Sequence, residues 1–189
     1  KEQVLQLAKT CAEFVLDMIP GWKSTGVDAV FVADDWGFQD NLMIPPELWR
    51  EIFKPWYKRI FDEIHNHGMQ VWFHSCGNIY TIINDLLECG LDLLNPIQPH
   101  ALSLESVSHD FRGRLSFHGG MDTGGSLIHG NQEMITAELT KLCEWFATPS
   151  GGYIMGPATT IMPNTPIENI ETFLQVAWEI SGKQNKNNI

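Results

Sequence analysis

The stretch that decides the fold is Gln70-Val71-Trp72-Phe73-His74-Ser75-Cys76-Gly77, which is followed by a helical apolar pattern over residues 79–89. Its first five residues form a short apolar run with aromatic and β-branched side chains, which is typical of a buried strand. The helical pattern after it stops at Gly90, a residue suited to a helix C-terminus. A buried strand followed at once by a helix predicts one βα unit of a parallel sheet.

The same unit recurs along the chain. An opening helix carries an apolar stripe and is expected to end at Pro20-Gly21, and the last helix is expected to start from an N-cap at Thr165. Further strands and helices are predicted between them. The strands are 26–33, 70–74, 91–95, 115–118 and 152–155, and the helices are 46–65 with a kink at Pro55, 79–89, 102–109 and 132–146.

Five short strands, each followed by a helix, predict an α/β fold with a parallel sheet and helices outside it. The 189 residues favour an open doubly wound sheet, because a (β/α) barrel normally needs about 250 residues and at least about 200. The opening helix with no strand before it favours the barrel, since it resembles the second half of a βα unit.

Composition excludes several functional classes. With 12 Lys+Arg against 23 Asp+Glu, the formal net charge of −11 disfavours nucleic acid as a partner. The apolar runs are far shorter than the roughly 20 residues that span a bilayer, and the first residues do not resemble a signal peptide. The four cysteines do not suggest a disulfide scaffold, so we expect a cytoplasmic protein whose cysteines are thiols or metal ligands.

Ligands of parallel α/β folds bind where strands end, so the residues after each predicted strand are the candidate site. His74 and Cys76 offer an imidazole and a thiolate to a soft metal, although a His-x-Cys pair is common and the local sequence alone favours a buried thiol beside a hydrogen-bonded histidine. Asp34 and Asp35 are suited to hold a proton, a metal or pyrrole N–H groups. Trp36 is either a flat wall for a planar ligand or a packing residue.

The segment 117–125 is rich in glycine and follows a predicted strand. It is interpreted either as a place where backbone amides approach a ligand or as a tight turn, and it carries neither a dinucleotide fingerprint nor a phosphate-binding loop. The remaining strand-end candidates, from the third to the fifth strand, include Asn95, Gln98, His118, Gly119, Gly120, Asp122 and Thr159. His65 and His67 flank a helix end and are expected to contact its terminal carbonyls.

Ordered motifs extend over nearly the whole chain. They are Ala33-Asp34-Asp35-Trp36-Gly37 with Ile44-Pro45-Pro46-Glu47-Leu48-Trp49 and Lys54-Pro55-Trp56, Phe73-His74-Ser75-Cys76-Gly77-Asn78, Cys89-Gly90-Leu91-Asp92-Leu93-Leu94-Asn95, His118-Gly119-Gly120-Met121-Asp122, and Gly151-Gly152-Tyr153-Ile154 leading to Asn164-Thr165-Pro166-Ile167-Glu168-Asn169-Ile170. Together they resemble the uroporphyrinogen decarboxylase superfamily, which includes the decarboxylase and the corrinoid-linked methyltransferases.

The resemblance implies a parallel (β/α) TIM-barrel-type fold of which about five C-terminal βα units are present. Residues 1–182 would form this partial barrel and residues 183–189 a polar tail. Such a segment is expected to expose a sheet edge and apolar helix faces.

The His-x-Cys-Gly motif is similar to the methyltransferase branch, in which His74 and Cys76 would be zinc ligands. A late cysteine would be the third ligand, but Thr159 stands at that position. A carboxylate, a water or His118 is left as the group that completes the site. Among the strand-end candidates, we expect catalytic roles for Asp34, Asp35, His118 and Asp122, and substrate binding by Trp36, Asn95, Gln98, Gly119, Gly120 and Thr159.

The function expected is zinc-assisted methyl transfer between a corrinoid and a small acceptor or donor, with the corrinoid as substrate or carried on a partner protein. One alternative is uroporphyrinogen decarboxylation without a cofactor, in tetrapyrrole synthesis. A second is a non-catalytic corrinoid- or tetrapyrrole-binding homologue. The partners expected are therefore a small-molecule substrate and a corrinoid protein, and a homodimer is left open.

Overall fold

The computed structural model describes residues 1–186. Within them, helices and strands alternate from the first strand to the last helix, with two additional short helices. In chain order they are α1 Glu2–Ser24, β1 Ala29–Ala33, α2 Pro46–Ile52, α3 Lys54–Asn66, β2 Gln70–His74, α4 Tyr80–Cys89, β3 Leu93–Ile97, α5 Leu104–Phe111, β4 Ser116–Met121, α6 Ser126–His129, α7 Gln132–Phe146, β5 Tyr153–Pro157 and α8 Ile167–Lys186.

The strands form one sheet in the order β1-β2-β3-β4-β5. β1 pairs in parallel with β2, and β4 pairs in parallel with β5. The predicted α/β fold with a parallel sheet is confirmed. The chain divides into two compact units, one over Lys1–Leu94 and one from Asn95 onward.

In the first unit, α3 packs its apolar stripe against β2. Phe61 and Ile64 are fully buried, and the rings of Phe61 and Tyr57 contact Phe73 of β2. These side chains recur at three- and four-residue intervals, so they occupy one face of the helix. This packing fixes the end of β2, where His74 lies.

In the second unit, α7 and α8 cover the sheet. Met121 of β4 belongs to a buried cluster with Leu139 of α7 and Phe173 of α8. The rings of Phe117 and Phe146 also meet, with centroids 4.8 Å apart. Phe117 therefore faces the helices, and its neighbour His118 projects from the opposite face of β4.

Two expectations about helices are wrong. α1 continues through Pro20 to Ser24, because Ile19 is fully buried and holds the last turns in place, and the chain leaves the helix at Gly26 with φ of +81°. The predicted helix over 46–65 is two helices that break at Phe53. Pro55 has no N–H and its ring opposes the carbonyl four residues earlier, so the first helix ends instead of bending.

The strand boundaries also differ from the predictions. β3 runs from Leu93 to Ile97, so Asn95 lies in the middle of the strand and not at its end. β4 extends to Met121, so Gly119 and Gly120 are strand residues and not a loop. A Cβ on Gly119 would lie 3.3 Å from the Pro157 carbonyl oxygen, so glycine allows β4 and β5 to approach closely at this point.

The expected N-cap of α8 is wrong as well. The Thr165 hydroxyl accepts no hydrogen bond from the described residues, whereas the carbonyl of Pro166 accepts from the amides of Asn169 and Ile170. The helix therefore begins one residue later than the motif suggests. It runs through Lys186 into the predicted polar tail, and residues 187–189 lie outside the described residues.

Large apolar side chains are exposed on α1 and α8, as expected. Phe14 and Leu7 of α1 are 66% and 63% exposed, and Trp178 of α8 is 82% exposed. None of the helices described over residues 1–186 combines the length and the apolar character needed to cross a bilayer.

Candidate functional site

Three potential metal ligands meet where β1 and β2 end. The Nε2 atom of His74 lies 3.5 Å from the Cys76 sulfur and 3.6 Å from Asp35 Oδ1. One donor atom from each of the three residues lies within 4.8 Å of the other two. Because Ala33 and His74 are register partners in parallel strands, the sequence places both loops at the same sheet edge.

Backbone contacts hold these two loops together. The amide of Gly37 donates to the Cys76 carbonyl, and the amide of Asn78 donates to the Phe38 carbonyl. A Cβ on Gly77, whose φ is +80°, would lie 2.2 Å from the Gly37 carbonyl oxygen. Only glycine allows this approach, so the glycines of both motifs serve to bring Asp35 to His74 and Cys76.

Hydrogen bonds to the backbone add to this arrangement. The Cys76 amide donates to Asp35 Oδ1 at 2.8 Å, and the Trp36 amide donates to the hydroxyl of the buried Ser75 at 3.0 Å. Burial raises the pKa of the Cys76 thiol, and the Asp35 charge raises it further. The thiol therefore needs a cation to become a thiolate at neutral pH.

The separation between the imidazole of His74 and the thiol of Cys76 fits zinc. In a tetrahedral site with Zn–N of about 2.0–2.1 Å and Zn–S of about 2.3 Å, the nitrogen and sulfur lie about 3.5 Å apart. The separation between His74 Nε2 and the Cys76 sulfur matches this value. Nitrogen, sulfur and carboxylate oxygen are also the donor types that zinc accepts.

Asp34 points into a different environment from Asp35. Its Oδ2 accepts a hydrogen bond of 2.6 Å from the Tyr57 hydroxyl, which in turn accepts one of 2.7 Å from the indole N–H of Trp36. Partial burial raises the pKa of Asp34 against the lowering effect of the Tyr57 hydrogen bond. The pKa of the buried Tyr57 is raised well above its usual value by desolvation and by the Asp34 charge, so its hydroxyl keeps its proton.

In the second unit, His118 lies across the face of the sheet. Its Nδ1 is 2.8 Å from the side-chain amide nitrogen of the buried Asn95, which therefore donates to it. A Cβ on Gly156 of β5 would lie 2.5 Å from His118 Nε2, so the ring lies over that glycine. Burial lowers the pKa of His118, which favours the neutral ring with its proton on Nε2.

Asp122 follows β4 and organises the turn after it. Its Oδ1 accepts from the amides of Gly124 and Gly125 at 3.0 Å, and its Oδ2 lies 2.9 Å from His100 Nε2. Its own amide donates to Glu138 of α7. These contacts indicate that Asp122 caps a turn and pairs with a histidine.

The other predicted substrate-binding residues of this unit are in structural contacts. The hydroxyls of Thr159 and Thr123 are 2.7 Å apart. The Gly119 carbonyl accepts from the Tyr153 hydroxyl, and Gly120 packs beside Leu142 and Ile97. Gln98 follows β3, and its carbonyl accepts from the amides of Ala101 and Leu102.

Sequence reasoning misses several residues of these networks. Tyr57 does not stand out within the amphipathic pattern of α3, and Gly156 gives no signal because its role depends on a ring from a neighbouring strand. The expected contacts of His65 and His67 with helix-terminal carbonyls are replaced by contacts with carboxylates. These are Asp92 at 2.8 Å and Glu63 at 3.2 Å.

The family model for uroporphyrinogen decarboxylase matches residues 1–180. The chain belongs to the uroporphyrinogen decarboxylase family. This confirms the resemblance, and within the family the chain is similar to methyltransferases.

Two curated relatives from Methanosarcina barkeri are both described as methylcobamide:CoM methyltransferase MtaA. One, from strain Fusaro / DSM 804, is 21% identical over 92% of this chain and 47% of its own length. The other is 24% identical over 79% of this chain and 41% of its own length. The chain therefore spans about half the length of the curated relatives that it matches.

A solved structure supports the fold. A methyltransferase from Methanosarcina mazei superimposes with a TM-score of 0.69 at 22% identity, over 90% of this chain and 47% of that one. At this identity the likeness shows the fold alone. The solved structure is of the TIM-barrel type, and this chain matches part of it.

Proposed function

We propose that this chain carries a zinc site of a methyltransferase that moves a methyl group between a corrinoid and a small thiol, with Asp35, His74 and Cys76 as ligands. The single observation that carries the proposal is the meeting of these three donors within 4.8 Å of one another, with His74 Nε2 at 3.5 Å from the Cys76 sulfur and 3.6 Å from Asp35 Oδ1. Membership of the family and the similarity to two methylcobamide:CoM methyltransferases support it. The corrinoid would be a substrate or be carried on a partner protein.

Asp35 takes the place that the family resemblance gave to a late cysteine. Thr159 at that position is a neutral hydroxyl already bonded to Thr123, and it is a poor zinc ligand. Asp35 instead lies against both His74 and Cys76, fixed by the Cys76 amide. A carboxylate therefore completes the donor set that begins with His-x-Cys.

Zinc, when bound, lowers the pKa of a thiol ligand and thereby supplies a thiolate at neutral pH. The chain's own contribution is to hold three donors in a fixed arrangement and to leave a further coordination position for the thiol. Asp34, with its hydrogen bond from Tyr57, stands beside this site as a second carboxylate.

The metal part is tested by elemental analysis of the purified 189-residue chain after zinc loading and dialysis. We expect about one zinc per chain. His74→Ala and Cys76→Ala should each remove most of it, and Asp35→Asn should weaken zinc affinity by at least about tenfold. Cys11→Ser, which changes an exposed cysteine of α1, is the matched control and should keep the metal.

A content below about 0.1 zinc per chain that does not respond to His74→Ala would contradict the zinc site. The transfer reaction is tested by the absorbance change of methylcobalamin when a thiol is added. Consumption of uroporphyrinogen by the metal-free chain would instead favour the decarboxylase alternative. Binding of either compound without turnover would favour the non-catalytic one.

A further inference from the structure

The first unit contains a cavity of about 440 Å³ between α1, β1 and α3. Its volume is that of a site for a small organic molecule. Asp34 and Trp36 line it, so it borders the loop that carries Asp35 without including His74 or Cys76. It is therefore a separate feature from the proposed zinc site.

Aromatic rings line this cavity together with aliphatic side chains, which include Val4, Leu7 and Val15 of α1. Trp36 packs against Phe53 with ring centroids 4.5 Å apart, and Tyr57, Trp56 and Phe31 are further lining residues. Phe31 is 53% exposed, and Phe53 and Trp56 are half-buried. Rings that line a cavity without being fully packed remain available to a ligand.

The cavity lining carries an acidic charge. Among the described residues that line the cavity, Asp34 is the only one with a charged side chain. Its Oδ2 is held by the Tyr57 hydroxyl, so the carboxylate is fixed at the wall. Several aromatic faces with one fixed carboxylate and no basic side chain among these lining residues form an environment that favours an organic cation.

We infer that this cavity binds a small methylated cation, of the quaternary ammonium or sulfonium class. The aromatic faces contact the methyl groups, which carry much of the positive charge, and Asp34 supplies the counter-charge. The inference concerns binding only, and it does not depend on zinc or on methyl transfer.

The experiment measures binding to the metal-free 189-residue chain at about pH 8, where carboxylates are ionised, by calorimetry and by ligand-observed NMR. The ligands are choline and its neutral isostere, in which a quaternary carbon replaces the nitrogen. Choline should bind at least about tenfold more tightly than the isostere, because only the cation gains from the rings and the carboxylate. This comparison uses the wild-type chain alone, so no variant needs to fold.

Variants then locate the site. Asp34→Asn and Phe53→Leu should each remove most of the preference for choline while leaving the weak binding of the isostere unchanged. Asp28→Asn, which removes an exposed carboxylate outside the cavity lining, is the charge-matched control and should behave as wild type. Thermal unfolding of each variant establishes that it is folded.

Equal affinity for choline and the isostere would overturn the inference and indicate an apolar occupant, such as a protein segment. No binding of choline, or binding that Asp34→Asn and Phe53→Leu leave intact, would overturn it as well. A chain that binds zinc but not choline refutes this inference alone. A chain that binds choline but not zinc refutes the zinc site alone.

Discussion

In the first unit the loops after β1 and β2 are in close backbone contact, whereas the polar groups expected to form a site in the second unit meet as side-chain pairs. Gly37 and Gly77 bring two loops into direct backbone contact, and the donors of Asp35, His74 and Cys76 meet as a result. In the second unit, polar side chains form pairs. These are His118 with Asn95, His100 with Asp122, and Thr159 with Thr123.

The difference separates two kinds of polar cluster. In the first unit the donor atoms of the three clustered groups lie within 4.8 Å of one another, and the raised pKa of the Cys76 thiol makes its ionisation depend on a cation. In the second unit each of these pairs joins a donor to an acceptor within the fold, which stabilises the fold without a ligand. We therefore expect substitutions in the two regions to act differently.

The largest effect is expected for Gly77→Ala. The new Cβ would meet the Gly37 carbonyl at 2.2 Å, and a φ of +80° is itself unfavourable for alanine. The free energy of unfolding should fall by about 2–5 kcal/mol, the sum of left-handed strain and overpacking. Urea denaturation monitored by circular dichroism measures it.

Gly21→Ala is the matched control for this prediction. Gly21 lies in α1, and a Cβ added to it would have no neighbouring atom within 4 Å, so alanine should stabilise the chain by about 0.5–1 kcal/mol. An equally small effect of Gly77→Ala would mean that the two loops are not locked by their backbones.

Local patterns predict the first unit's site better than the second unit's contacts. Asp34, Asp35, His74 and Cys76 follow or end two strands whose apolar runs are clear in the sequence, and parallel strands bring their ends together. The sequence does not choose Asp35 over Asp34 as the group facing His74. That choice depends on Tyr57, which holds Asp34 from another helix.

In the second unit the glycine run of β4 is expected to be a loop, because glycine is depleted in strands. Gly119 and Gly120 instead lie in the strand with φ of +106° and +100°, which favours glycine, and a Cβ on either would lie within 3.0–3.3 Å of neighbouring elements. The ring of His118 likewise lies where a Cβ on Gly156 would be, so this position also requires glycine. Such contacts join residues distant in sequence, and no local pattern records them.

A smaller effect is expected for Thr159→Ala. The change leaves the buried hydroxyl of Thr123 without this partner, so the free energy of unfolding should fall by about 1 kcal/mol. Zinc content should not change, since a neutral threonine hydroxyl is a poor zinc ligand. Thr160→Ala at the exposed neighbouring position should have less effect, and loss of zinc in Thr159→Ala alone would show that this residue serves the metal site.

The smallest expected effect is on the pH dependence of stability, and it concerns His118. Burial lowers its pKa in the folded chain below the usual 6.5, so the unfolded chain binds the proton more readily. The free energy of unfolding is therefore highest above about pH 7, where His118 is neutral in both states. It decreases as the pH falls through about 6.5 toward the pKa of His118 in the folded chain. His118→Gln should flatten this part of the profile when unfolding is measured between about pH 8 and pH 5. His109→Gln, at an exposed histidine of the same unit, should keep the wild-type slope, and an unchanged slope in His118→Gln would show that the ring is not desolvated in the folded chain.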